Sequence, residues 1–316
     1  MSNSPLVSVF ITSYNQEDFI GEAVKSVAEQ DYQNVQIVIS DDGSTDSSPL
    51  ILKELSKKYP KKIEIHLHKE NRGSTWNHNY AFQHCWGEYI CYFDGDDIML
   101  PGKIRKQLEF MRQHPKFCLT YHNVELFESN SGKTINTWKN RFGARTGSAK
   151  ELVRYGNFLP SLSIMFEKNT FDIEFNQEVS MSEDWFFFIE YLQKTKGKIG
   201  YLNEILGRYR RHRNNITLDW NKKIENQFRM LSMIENRYPE FINEVKKRLG
   251  DVYLIEAFSL YGDKKRMLAI QELFKSIKMF YPNVFSIFRL PFREFVYILR
   301  SKMKTDDLIK TLIGIE

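Results

Sequence analysis

The chain is poor in cysteine, poor in net charge and has no long apolar run. Its 316 residues hold three cysteines, Cys85, Cys91 and Cys118, each in apolar surroundings and without metal-ligand spacing. That excludes a disulfide scaffold and a zinc ribbon, and reads as small core residues in a reducing compartment. No apolar stretch reaches the roughly 18 residues a spanning helix needs. Residues 1–5 are polar and a strand follows at once, which predicts no secretory leader and a cytoplasmic protein. Lys and Arg number 45 against 40 Asp and Glu, a net +5 that does not call for nucleic acid. No Gly-x-Gly-x-x-Gly is present, which argues against a dinucleotide cofactor. Repeats and low-complexity segments are also absent. Hydrophobic content is 42%, enough for a sizeable core.

What stands out is Gly87 to Asp97, Gly-Glu-Tyr-Ile-Cys-Tyr-Phe-Asp-Gly-Asp-Asp. Tyr89 to Phe93 reads as a buried strand, and it ends in three carboxylates around one glycine. Like charges so close repel, more so at the poorly screened end of a sheet. A hard divalent cation, Mg²⁺ or Mn²⁺, relieves the repulsion through oxygen ligands and shares its remaining positions with substrate phosphates. The bend predicts a metal-phosphate site at the carboxyl end of a strand, where open α/β sheets bind ligands. A plain Asp/Gly turn is the competing reading.

The rest of the first 218 residues alternates strand and helix. Leu6–Thr12, Val35–Ser40, Ile63–His68 and Tyr89–Phe93 read as strands, with helices over 17–30, from the 41–46 turn to Tyr59, and over 74–86. That order means a mostly parallel, doubly wound sheet with helices on both faces. Pro101 opens another helix at its favoured first position. Further strands are read at 117–122, 161–166, 198–202 and 206–209, with 127–147 as a loop or hairpin. Met181 to Asp184 reads as a capped helix start before the apolar stripe Trp185, Phe188, Ile189, Leu192. Beyond Leu218 the pattern is helical: one face at Ile224, Phe228, Leu231, Ile234 and Tyr238, then a hairpin of 252–261 and 267–280. The reading is a domain over 1–218 and a helical appendage over 219–316.

Each of the first four strands ends in a polar cluster: Thr12 to Asn15, Asp41-Asp42, Asn71-Arg72 and Asp94 to Asp97. Parallel strands set these ends side by side, lining one crevice suited to a nucleoside-diphosphate donor.

The order and spacing resemble the inverting GT-A-type glycosyltransferases of family two. The matching stretches are Val7 to Asn15, Ser40 to Asp46, Asn71-Arg72-Gly73 with Asn79, and Gly87 to Asp97. Two later ones are Ser182-Glu183-Asp184-Trp185 and Tyr209-Arg210-Arg211-His212 with Asn215-Ile216-Thr217. Together they cover about 210 residues. His78 departs from the pattern, standing where the family often has Arg, and Trp76 and Asn77 replace small residues.

The resemblance implies a GT-A fold and a set of roles. Thr12, Tyr14 and Asp42 hold the nucleobase, with Asp94 on the ribose side and Asp96 on the metal. Arg72 and Asn79 line the donor site, and Arg210 and His212 face the leaving diphosphate. Asp184 is the general base, with Glu183 the competing carboxylate. A base at a helix start has its ionised form favoured by the dipole. Asp41 and Asp97 read as caps of the elements that follow them. Sugar-pocket residues are expected in the loops 142–146 and 157–161. The implied donor is a nucleotide-diphosphate sugar, UDP-linked above all, and the implied acceptor a cell-surface glycan or lipid-linked oligosaccharide. A hexosyl- or N-acetylhexosaminyl-transferase is the expected class. Aromatics interleaved with Lys and Arg over 284–303 suggest contact with an anionic membrane surface, against packing on the catalytic domain or on a second copy as a homodimer. A nucleotidyltransferase is the rival enzyme class, but it needs a Gly-rich phosphate loop after the first strand. A non-catalytic sugar-nucleotide-binding protein is the third reading.

Overall fold

A computed structural model of the chain describes residues 4–168, 172–179, 182–212 and 220–279. The chain divides into two compact units, Met1–Leu152 with Asn157–Leu218 and Val153–Gly156 with Asp219–Glu316.

The larger unit is built on one mixed sheet. Its strands are β1 (Val7–Ser13), β2 (Val35–Asp41), β3 (Ile63–Leu67), β4 (Tyr89–Asp94), β5 (Ile98–Met99), β6 (Phe117–Glu128), β7 (Thr134–Thr137), β8 (Met165–Glu167) and β9 (Lys198–Arg211). The order is β3-β2-β1-β4-β8-β6-β9-β5, with β7 added on β6. The first four strands are parallel, which sets Ser13 opposite Asp41 and Thr12 opposite Asp94. β1 is buried at every residue, the continuous apolar signature of a central parallel strand. Helices α1 (Ile20–Ala28), α2 (Ser48–Lys58), α3 (Ser74–Gln83) and α4 (Lys103–Gln113) follow the early strands. α1 buries Ile20, Ala23, Val24, Val27 and Ala28, the stripe its sequence spacing demands. Later come α5 (Trp138–Phe142), α6 (Ala149–Tyr155) and α7 (Glu183–Thr195). α7 buries an aromatic block, Trp185 to Phe188, and Phe187 stacks on Phe175 at 4.2 Å. All three cysteines are free and buried.

Several local expectations are corrected. Pro101 does not begin a helix: Pro101 and Gly102 form a turn, Gly102 is left-handed at φ 83°, and α4 starts at Lys103. The two short strands over 198–209 are one strand, β9, whose register on β6 jumps from Leu202 to Ile205. The jump leaves Asn203 and Glu204 out of the ladder, and those polar residues are what made the strand look broken. Residues 161–163 form a 3₁₀ turn ahead of β8. The 127–147 stretch is the β6–β7 hairpin continued by α5.

The smaller unit carries α8 (Trp220–Arg237), α9 (Ile242–Gly262) and α10 (Arg266–Met279). α8 buries Ile224, Met230, Leu231 and Ile234. α10 turns Ala269, Glu272 and Ser276 inward, and Ser276 Oγ donates to the Gly250 carbonyl on α9 at 2.7 Å. The Asn215 to Thr217 motif and the aromatic-basic stretch 284–303 lie outside the described residues. Among the described residues no helix is long and apolar enough to cross a membrane.

Candidate active site

The β1, β2 and β4 ends meet as their pairing requires. Asp42 follows β2 and is held by Ser13, whose carbonyl accepts its N–H at 2.9 Å. The Asp42 carboxylate accepts the backbone N–H of Arg72 at 2.9 Å and of Gly73 at 2.8 Å, tying the turn after β3 to the β2 end. Asp41 closes its own turn, accepting from the Ser44 N–H at 2.9 Å and Ser44 Oγ at 2.7 Å. Gly43 in that turn sits at φ 70°, where an added Cβ would lie 2.6 Å from the Glu70 carbonyl carbon.

The acidic bend folds back over β1. Gly95 N–H donates to the Thr12 carbonyl at 3.2 Å, and a Cβ on Gly95 would strike Gln16 and come within 2.9 Å of that carbonyl oxygen. Only glycine lets the backbone approach so closely. Asp94 accepts from Ser161 Oγ at 2.5 Å. Burial and then the Asp96 charge push the Asp94 carboxyl up to about 6. Asp96 Oδ2 lies 2.8 Å from His212 Nε2. Asp97 is no cap for the next element. Its Oδ1 accepts the Arg210 N–H at 2.8 Å, joining the bend to β9, and its buried Oδ2 has no partner among the described residues. Burial and the charges of Asp96 and Asp94 push its carboxyl well above the usual range.

These acids fit a divalent cation. Three carboxylates crowd each other, and the Asp96 oxygen and His212 nitrogen converge, a donor pair acceptable to Mn²⁺ or Mg²⁺. Among the described residues no trio of His, Cys, Asp or Glu forms a complete cage, so oxygens of a bound diphosphate would complete the shell.

Asp184 stands in the first turn of α7. Asn157 Nδ2 donates to its Oδ2 at 2.7 Å, and its own Trp185 N–H donates to Oδ1 at 2.9 Å. Burial and then the Glu183 charge push its carboxyl up to about 7, with Asp94 adding to the rise. The expectation that the helix dipole keeps it readily ionised is thereby corrected: desolvation outweighs the dipole here. The start is not a conventional cap either. Ser182 is left-handed at φ 64°, with no side-chain cap bond.

The remaining expected residues divide. Thr12 is buried, with Oγ1 3.1 Å from His78 Nε2, and Tyr14 is exposed just beyond the β1 end. Arg210 lies beneath the bend: Nε donates to the Asp96 carbonyl at 2.7 Å, Nη2 to Glu22 at 2.5 Å, and Phe19 and Phe127 flank the guanidinium. Arg72 turns its side chain to Glu70 and over the Trp76 ring. Asn79 spends its amide on Phe175, donating to the carbonyl at 2.8 Å and accepting the N–H at 2.6 Å. Ser161 and Asn157, at the ends of the loop expected near the sugar, hold Asp94 and Asp184. His78, whose Nδ1 lies 3.1 Å from Glu183 Oε1, was visible in the sequence only as a departure from the family pattern.

Comparison with known proteins bears on the fold and the family. The chain is 26% identical over 291 residues to an uncharacterized glycosyltransferase of Haemophilus influenzae, covering 88% of each. Residues 1–349 of TarS from S. aureus share the fold, with a TM-score of 0.62 at 17% identity over 94% of this chain and 87% of that one. The same TarS segment has been solved with UDP-GlcNAc, with a TM-score of 0.59 at 18% identity over 87% of this chain and 89% of that one. The mannosyltransferase PcManGT from Pyrobaculum calidifontis, solved with GDP-Man and Mn²⁺, has a TM-score of 0.59 at 13% identity, covering all of this chain and 89% of that one. The model of the family described as Glycosyl transferase family 2 matches residues 8–169, just over half of the sequence, and the chain belongs to that family.

Proposed function

We propose that this glycosyltransferase moves one sugar, with inversion, from a nucleoside-diphosphate donor to a saccharide hydroxyl. The donor is UDP-linked, and the acceptor is a cell-surface glycan or a lipid-linked oligosaccharide. Residues 1–218 carry the chemistry, and the helices α8 to α10 belong to a separate C-terminal region.

The observation that carries the reading is the placement of Asp184. Asn157 holds its carboxylate in the electrostatic neighbourhood of Asp94, at the strand ends where the donor is expected. Asp184 takes the proton of the acceptor hydroxyl as that oxygen attacks the anomeric carbon. The bond from that carbon to the diphosphate breaks, and the nucleoside diphosphate leaves with the electron pair. Asp96, with His212 beside it, would hold a divalent cation, which would supply charge neutralisation to the diphosphate. Asp42 and Tyr14 lie at the β2 and β1 ends, in reach of the base side of the crevice. Arg210 serves by bracing the bend.

An inverting transfer needs one base and no covalent glycosyl-enzyme, which suits a single carboxylate poised near neutrality. UDP binding with Mn²⁺, followed by thermal shift, and UDP release test the assignment on Asp184→Asn. Binding persists and release falls by on the order of 10²-fold or more. Undiminished release would remove Asp184 from the role.

A further inference from the structure

The segment leading into α7 is fastened to α3. Thr75 Oγ1 donates to the Val179 carbonyl at 2.8 Å, and Asn79 grips Phe175 at both backbone groups. His78 stands between them and reaches the first residue of α7, with Nδ1 3.1 Å from Glu183 Oε1. Positions 75, 78 and 79 share one helix face, so α3 anchors the segment that leads into α7 and its first residue.

That start needs an external hold. Ser182 adopts a left-handed backbone that a side chain disfavours, and it persists only where the surroundings impose it. The other edge of the His78 ring faces the strand ends. Nε2 is 3.1 Å from Thr12 Oγ1 and 3.0 Å from the Tyr92 hydroxyl. Thr12 pairs in register with Asp94, while Glu183 adjoins Asp184. One imidazole therefore bridges the donor end of the sheet and the residue next to the base.

We propose that His78 is a positioning residue for Asp184, a buried cation that fixes the first turn of α7 against the β1 and β4 ends through its ion pair with Glu183. The proposal rests on the reading of Asp184 as the base.

The charges around the ring are consistent with a pair. Glu183 and Asp184 face it from α7, Asp94 and the Tyr92 hydroxyl from β4, and Thr12 from β1. Burial pulls the imidazole down, but Glu183, then Asp94 and Asp184, carry it above its ordinary value. Burial pushes Glu183 up, and the His78 contact takes it below the usual range. An unpaired buried charge is expensive, so losing one partner discharges the other. After burial, the Glu183 charge is the largest cause of the raised Asp184 carboxyl. Discharging the pair therefore makes Asp184 more acidic, an effect that packing alone would not produce.

The test uses full-length His78→Gln, Glu183→Gln, the double variant and Asp184→Asn. UDP release from a UDP-sugar turned over by the wild type gives kcat, donor KM and the acidic limb of the kcat–pH profile. Imidazole NMR, with His78 assigned by its loss in His78→Gln, reads the ring charge without any donor. Each single variant is expected to lose about 10- to 100-fold in kcat with donor KM little changed. The acidic limb moves down by about one pH unit. The double variant is no worse than the poorer single, and His78 stays protonated above the ordinary histidine range until Glu183 is removed. Unchanged kcat and limb in a folded single variant, additive losses, or a ring already neutral at pH 6 would overturn it. If His78→Gln fails to fold, Glu183→Gln decides alone. Full activity in Asp184→Asn sinks the base reading and this one with it. An inactive Asp184→Asn beside wild-type-like His78→Gln and Glu183→Gln sinks only this one.

Discussion

His212 Nε2 lies 2.8 Å from Asp96 Oδ2, joining the residue just past β9 to the acidic bend after β4, with the Phe19 ring 4.7 Å from the imidazole. In the proposed enzyme both side chains serve the diphosphate end of the donor. Chelating divalent ions abolishes UDP release, and added Mn²⁺ restores it. Asp96→Asn and His212→Ala each lower kcat by on the order of 10²–10³-fold. Asp96→Asn also removes the extra thermal stabilisation that Mn²⁺ gives in the presence of UDP. Manganese-dependent stabilisation that survives in Asp96→Asn would place the ion elsewhere.

Asp184 ties activity to stability. Its carboxyl is pushed up to about 7 by burial and the Glu183 charge, far above an unfolded aspartate. A base works ionised, so kcat rises with pH through about 7 and levels above it. The sign for stability is opposite. Between the unfolded and folded values the folded state binds the extra proton, so stability falls as pH rises through that window. Asp184→Asn, which needs no ionisation, melts above the wild type at pH 8, and the difference narrows toward pH 5 and closes only below the unfolded aspartate value of about 4. Calorimetry across that range checks it, and a gap that widens toward pH 5 would contradict the raised carboxyl.

The parts of this site that were legible in the sequence are the ones coded locally. β1, β2 and β4 are central parallel strands, so they appear as apolar runs, each stopping in its polar cluster. The bend Asp94 to Asp97 is contiguous, and its charge problem is visible without coordinates. What was not legible comes from distant pairing. Asn157 meets Asp184 across 27 residues, Ser161 meets Asp94 across 67, and Arg210 meets Asp97 across 113. No local rule sets those distances. The proton affinity of Asp184 failed for a related reason. Position in a helix is written in the sequence, whereas burial, which decides the sign, is a property of the packed molecule.

Arg210 offers a sharper test of bracing against substrate contact. Its guanidinium is enclosed, bonded to the Asp96 carbonyl and to Glu22, and layered between Phe19 and Phe127. A lysine keeps the charge but cannot reproduce the planar, forked contact. Arg210→Lys therefore lowers the melting temperature and weakens UDP binding in Mn²⁺ as the bend loosens. Glu22→Gln, which spares the Asp96 contact, has the smaller effect on both. Calorimetric titration with UDP and Mn²⁺ separates the two variants. If Arg210→Lys lost only turnover, with stability and binding intact, the residue would belong to the chemistry and not to the scaffold.

The α10 surface offers a test of contact with an anionic membrane. This helix turns Ala269 and Ser276 inward and shows Met267, Ile270 and Phe274 outward, with Met267 72% and Phe274 67% exposed. Lys264, Lys265, Arg266 and Lys278 lie along or beside the same stretch and are exposed. Apolar side chains framed by cations complement an anionic lipid surface, where a lipid-linked acceptor would sit. The full-length protein is expected to sediment with vesicles containing phosphatidylglycerol and to stay in solution with pure phosphatidylcholine. Salt weakens the binding, since the attraction is partly electrostatic. Replacing Met267 and Phe274 by Ser removes it while leaving UDP release from a soluble acceptor unchanged. Protein that ignores both vesicles, but doubles in mass with concentration until those two residues are replaced, would assign the face to a second copy of the chain instead.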